Sequence, residues 1–183
     1  RLALTSVDGL RIRGARSDDR GAIEALTLSA YQQYAALMPP HWEGYRQNIL
    51  ATLAAAQPEV QIVAEEEGRV VGSVLLYPAG SVMARPGGGS ITLIWPEVRL
   101  LAVAPEARGR GVGVTLMDEC VRRARQSGAA ALTLHTTDIM QAAMRLYERL
   151  GFLRAPELDI QPAPGVTIKG YRLSLGSTSG VRS

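Results

Sequence analysis

The sequence predicts a mixed α/β fold, a sheet of short strands covered by helices, and three observations carry that expectation. Apolar residues switch repeatedly between period-two and helical spacing, and Gly and Pro clusters punctuate the segments. The expected order is one strand, two helices, three strands, then helix, strand, helix and two strands, which interleaves the two types in the way of a mixed sheet with helices on it. A chain of 183 residues, 46% hydrophobic and 20% charged, suits one compact domain, expected over residues 1–176, with 177–183 as a loose tail. No internal repeat is visible.

Leu10 to Ala15 alternates as a first strand, and Ser17-Asp18-Asp19 offers caps for a helix carrying Ile23, Leu26 and Ala30, which Met38-Pro39-Pro40 ends. His41 to Ala56 reads as a second helix. Val60 to Glu66 and Val70 to Tyr77, separated by Gly68, read as a hairpin. Pro78 to Ser90 reads as a loop, with Gly87-Gly88-Gly89 too flexible for a core, and Ile91 to Ala104 as a strand stopped by Pro105. A helix with Val112, Leu116, Cys120 and Ala124 on one stripe follows, then a strand from Leu132 to His135. Asp138 is the expected cap of a helix carrying Ile139, Ala143, Leu146, Tyr147 and Leu150, and strands at Phe152 and from Val166 to Leu175 close the domain.

Composition narrows the function classes. The net charge of +3 and pI near 9.4 come from scattered arginines, which suits anionic ligands but gives no concentrated basic face for nucleic acid. One cysteine, Cys120, rules out an intramolecular disulfide framework, and with only His41 and His135 no zinc spacing exists. Arg1-Leu2-Ala3-Leu4 is too short in apolar length for a signal peptide and reads as a trimmed start, and no stretch approaches a membrane helix. The expectation is a cytoplasmic protein without metal, nucleic acid or membrane partner, and a homodimer is compatible with it.

Arg108-Gly109-Arg110-Gly111-Val112-Gly113 falls where a strand becomes a helix. Glycines there let the backbone approach a ligand with its N–H groups outward, and the helix dipole adds partial positive charge. Such a turn suits a pyrophosphate; it can also be a turn that binds nothing. A P-loop would need Lys and Ser or Thr after the last glycine, and Val114-Thr115 stand there. The dinucleotide fingerprint needs a different glycine spacing and an acidic residue closing the next strand, which ends instead at His135.

Three blocks carry a resemblance: Leu101-Ala102-Val103-Ala104-Pro105, then Arg108 to Gly113, then Ala143-Met144-Arg145-Leu146-Tyr147-Glu148-Arg149-Leu150-Gly151-Phe152. Together they resemble the GNAT superfamily of N-acetyltransferases, closely from Glu97 to Phe152 and more loosely from Leu10 to Leu175. The resemblance implies a GNAT-like fold with a central, mixed but mostly antiparallel sheet flanked by helices. It implies acetyl-coenzyme A as cosubstrate, transfer of its acetyl group to a primary amine by direct attack in a ternary complex, the backbone of Leu101, Ala102 and Val103 pairing with the pantetheine arm, and Arg108, Gly109, Arg110, Gly111, Val112 and Gly113 cradling the pyrophosphate. Met140 occupies a coenzyme-site position, seven residues before the motif tyrosine, where the family often has Asn. Thr136, Thr137 and Asp138 are the nearby polar residues.

Attack on a thioester needs a neutral amine, and freeing a lysine-like amine of its proton at pH 7 costs about 4.6 kcal/mol. A positioned base lowers that cost, a backbone N–H on the Leu100 to Val103 strand could stabilise the oxyanion, and an acid could protonate the departing thiolate. The resemblance assigns the base to Glu97, eleven residues before Arg108, and the acid to Tyr147. Strand alternation places Glu97 on one face with Arg99 unless a bulge intervenes; the competing roles are a strand salt bridge for Glu97 and core packing for Tyr147. His135 reads as a hydrogen-bonded structural residue, Cys120 as packing, and Arg122, Arg123 and Arg125 as a solvated helix face.

Tyr31, Tyr34, Trp42 and Tyr45, with His41, concentrate aromatic character at the junction of the two early helices in a chain only 5% aromatic. Ordinary helix packing would explain them; an acceptor site for a substrate with an apolar body and a cationic head would too. The alternative function is a non-catalytic module that binds acyl-coenzyme A as a sensor or docking domain.

Overall fold

A computed structural model describes residues 9–85 and 88–176. In chain order the elements are β1 (Leu10–Gly14), α1 (Arg20–Tyr31), α2 (Trp42–Ala55), β2 (Gln61–Glu66), β3 (Arg69–Tyr77), β4 (Val82–Ala84), β5 (Ser90–Thr92), β6 (Glu97–Val103), α3 (Val112–Gln126), β7 (Ala131–Thr136), α4 (Gln141–Arg149), β8 (Leu153–Arg154), β9 (Ile160–Ala163) and β10 (Val166–Ser174). The fold is mixed α/β with a mostly antiparallel sheet, as expected. Ladders β1 to β2, β2 to β3, β7 to β10, β10 to β8 and β10 to β9 are antiparallel, and β6 pairs with β7 in parallel. The described residues form two compact units, one from those up to Leu76 with Arg99–Glu119, the other from Tyr77–Val98 with those from Cys120 onward.

In the first unit the strands follow the order β1, β2, β3 and β6. Ile62, Val63 and Ala64 of β2 are fully buried, the continuous apolar run of a strand covered on both faces. Helix α1 buries Ile23, Leu26 and Ala30, and α2 buries Ile49 and Leu53. The α-helical part of α1 ends at Tyr31, and a tighter 3-10 stretch, Gln32–Leu37, completes the path to the prolines. Gly72 of β3 is required by packing: a Cβ there would lie 2.8 Å from Val112 Cγ1 and 2.9 Å from Leu116 Cδ1, so its absence lets the first turns of α3 settle on the strand. Arg13 forks onto Asp19 at 2.7 and 3.0 Å and reaches Glu65 at 2.8 Å. Asp19 also accepts the Arg16 N–H, and the Arg13 hydrogen bonds hold its carboxyl below the usual carboxylate range.

In the second unit the order is β6, β7, β10 and β8, with β9 on β10. Leu132, Leu134, Phe152 and Tyr171 form its core with Cys120 and Ala124 of α3. Helices α3 and α4 end alike. Gly128 (φ 78°) and Gly151 (φ 95°) take the left-handed conformation, and the next residue donates back five positions, Ala129 to Ala124 and Phe152 to Tyr147. Leu-Gly-Phe thus closes α4 and sets Phe152 edge-on to Tyr147, ring centroids 6.0 Å apart.

Four expectations need correction. The loop from Pro78 to Ser90 contains β4, which pairs with β5, and Ile91 to Ala104 is two strands rather than one. Gly88 and Gly89 turn that hairpin with positive φ; Gly87 and the tail at 177–183 lie outside the described residues. Asp138 does not cap α4: Met140 stands at the cap and Asp138 instead pairs with Lys169 Nζ. Strand β9 had no alternation to reveal it, being Ile160-Gln161-Pro162-Ala163.

Candidate active site

The turn leading into α3 is built almost entirely from backbone. Gly109 (φ 74°) and Gly111 (φ 79°) take a conformation that side chains resist, and Thr115 closes the first helical turn on the Gly111 carbonyl, 3.0 Å from its N–H and 2.8 Å from its hydroxyl. Among the described residues no backbone carbonyl outside the helix accepts from the N–H groups of residues 109–113, as expected of donors at a helix start. Neither arginine side chain stays at the turn. Arg110 pairs bidentately with Glu66 at 2.9 and 3.0 Å, and Arg108 donates to the Ala30 carbonyl at 3.3 Å. An anion held here would therefore be held by N–H groups and the helix dipole, so a pyrophosphate fits.

Along β6 the ladder with β7 comprises only Glu97 opposite Thr133 and Val98 opposite Leu134. Leu100 then takes φ 49°, a bulge-like kink in a residue that disfavours it, and no β7 pairing follows for Leu101, Ala102 or Val103. That backbone edge can accept an extended ligand as a further strand.

Glu97 is only 2% exposed, and its Oε1 lies 2.9 Å from His135 Nδ1. The other ring nitrogen, Nε2, lies 2.8 Å from the Leu158 carbonyl oxygen. The sequence offered Glu97 as a base or as half of a strand salt bridge and His135 as a separate hydrogen-bonded structural residue; the structure brings the two together. The signal was the parallel register of Glu97 with Thr133, which puts His135 two residues along the same face, and a register cannot be read from one chain's periodicity. Tyr147 is buried in α4 against Phe152. Met140 is buried at the start of that helix, and just before it the hydroxyls of Thr136 and Thr137 are buried without a hydrogen-bond partner. Orphaned hydroxyls of this kind suit a polar ligand group.

The four aromatic residues do come together. Tyr31 lies 5.8 Å from Tyr34 and 6.1 Å from Tyr45, and Trp42 lies 6.2 Å from Tyr45, between ring centroids. Burial raises the Tyr45 hydroxyl well above the ordinary tyrosine range; burial also raises that of Tyr34, against an opposing pull from the Arg108 charge. Arg108 thus belongs to the surroundings of this cluster as well as to the turn, which the sequence motif gave no reason to expect.

Among the described residues no helix is long and apolar enough to cross a membrane. Residues 23–152 match the family model described as the acetyltransferase (GNAT) family. Over 143 residues the chain is 31% identical to an uncharacterised N-acetyltransferase of Bacillus subtilis, covering 78% of this chain and 89% of that one. It is 29% identical over 113 residues to an uncharacterised N-acetyltransferase of Schizosaccharomyces pombe, covering 62% of this chain but 63% of the relative, so it spans less than two thirds of that protein. A crystal structure of a GNAT family acetyltransferase from Brucella melitensis in complex with acetyl-CoA superposes with a TM-score of 0.60 at 25% identity, covering 91% of this chain and 88% of that one. With the family model matching well over half of its length, on the segment that holds the glycine turn, the kinked strand and the Leu-Gly-Phe helix end, the chain belongs to the GNAT acetyltransferase family.

Proposed function

We propose that the chain transfers the acetyl group of acetyl-coenzyme A to a primary amine of a small molecule or peptide. The observation that carries this reading is the turn at residues 109–113, where two left-handed glycines open α3 and, among the described residues, no backbone carbonyl outside the helix accepts from the N–H groups. The cosubstrate, when bound, supplies a thioester whose acyl carbon is open to direct attack by the amine in a ternary complex. Gly109 to Gly113 hold the pyrophosphate through backbone, with Arg108 and Arg110 committed elsewhere, and Leu101, Ala102 and Val103 offer their unpaired edge to the pantetheine arm. Met140 packs beside the coenzyme without a polar contact; the Thr136 and Thr137 hydroxyls supply the hydrogen bonds its side chain cannot make.

Glu97 accepts the proton of the incoming amine, directly or through a water, and Tyr147 donates its hydroxyl proton toward the departing sulfur. A backbone N–H of β6 stabilises the oxyanion. Tyr31, Tyr34, Trp42 and Tyr45 form the acceptor surface, one suited to an amine on an apolar body. The assay is thiol release from acetyl-coenzyme A against a panel of peptide N-termini, amino acids, polyamines and aromatic amines. Turnover with one class is the expected result; tight coenzyme binding without thiol release from any would replace the enzyme reading with that of an acyl-coenzyme A sensor.

A further inference from the structure

His135 stands between two acceptors. A carbonyl oxygen can only accept, so the 2.8 Å contact with Leu158 requires the proton on Nε2. Glu97 Oε1, 2.9 Å from Nδ1, then requires a second proton, since without it two sets of lone pairs would face each other. That proton belongs to the ring: imidazole is the stronger base by about two pKa units in water. A cation at this distance favours the ionised form of a carboxylate that is 2% exposed. The Asp159 carboxyl is held down to about 2 chiefly by Arg154 and the Gly170 N–H.

The Leu158 carbonyl is where it is because of a glycine. Gly170 lies opposite His135 in the β10 to β7 ladder, and a Cβ on it would meet Leu158 Cβ at 2.5 Å. Its bareness lets the Pro156–Leu158 turn lie on the strand and aim its carbonyl at the ring. Around this strand end Arg154 pairs with Asp159, Lys169 with Asp138 and Arg172 with Glu157.

We infer that His135 is a positioning residue for Glu97: pinned by the Leu158 carbonyl, it holds a proton on Nδ1 against Oε1 and keeps the buried carboxylate ionised and oriented. The inference rests on the proposed role of Glu97 as base. His135 is not a relay, because the carbonyl beyond it accepts a hydrogen bond but takes no proton.

The full chain labelled with ¹⁵N-histidine tests this, and it holds only two histidines, His41 and His135. At about pH 8, where an ordinary imidazole is neutral, both ring nitrogens of His135 should report as protonated and those of His41 should not. Glu97→Gln should leave His135 neutral with its proton on Nε2. A neutral His135 in the wild-type chain, or one indifferent to Glu97→Gln, overturns the inference. In kinetics, His135→Gln should move the acid limb of kcat/KM to higher pH by about one unit or more, because removing a cation favours the protonated carboxyl. An unmoved limb overturns the positioning role. The base assignment is read separately: it fails if Glu97→Gln retains full activity, whatever the nitrogen spectra show.

Discussion

The anion turn and the proton site of this chain are built from opposite materials. At residues 109–113 every donor is backbone, and the two arginines of the motif turn away to Glu66 and Ala30. At Glu97 the contact is side chain to side chain, a buried carboxylate against a ring whose far nitrogen is tied to a backbone carbonyl. The difference teaches where each should be fragile. A backbone site tolerates the loss of neighbouring side chains but not bulk or negative charge at its glycines; a side-chain site tolerates neither deletion nor neutralisation.

The largest expected effect is on the turn. Gly111→Glu places a carboxylate on a residue at φ 79° where N–H groups face an anion, and calorimetry should detect no acetyl-coenzyme A binding by the folded variant. Retained affinity would end the backbone account. Next, Glu97→Gln should lower kcat/KM about a hundredfold near neutral pH and recover in part as the pH nears the amine's own pKa, where solvent removes the proton instead. A wild-type pH profile would reduce Glu97 to a partner for His135.

Tyr147→Phe should lower kcat by about tenfold or more without changing coenzyme affinity, and high pH should not rescue it. Unchanged turnover would return Tyr147 to its packing role beside Phe152. Trp42→Ala should raise the acceptor KM severalfold, about 1 kcal/mol of lost contact, and leave the coenzyme's alone. Smallest of all, Arg110→Ala should change coenzyme affinity by less than about threefold, because its partner Glu66 is a surface pair of small worth. A tenfold loss there would show that the arginine side chain takes part after all.

Much of the fold was legible because its signals are local. The apolar stripes of α1 and α3 and the run at Ile62 to Ala64 act within a few residues. Strands β4 and β9 escaped because Val82-Met83-Ala84 and Ile160-Gln161-Pro162-Ala163 are short and carry no alternation, so their pairing is decided by the partner strand. The same line divides the site. The glycine turn is one contiguous motif and was readable; the Glu97 to His135 pairing depends on a parallel register and on a glycine at position 170, thirty-five residues beyond the histidine it serves.

The short ladder of β6 has a consequence for amide exchange. Among the described residues, an N–H of Leu101 to Val103 that does not face β3 has no partner on β7, so in the free protein it should exchange with deuterium on the timescale of a frayed edge, although it lies within a strand of the sheet. If an extended ligand completes that edge, the same few amides should become slow while those of Glu97 and Val98, already laddered to β7, barely change. The width of the protected window would then measure directly how far along the strand the ligand lies.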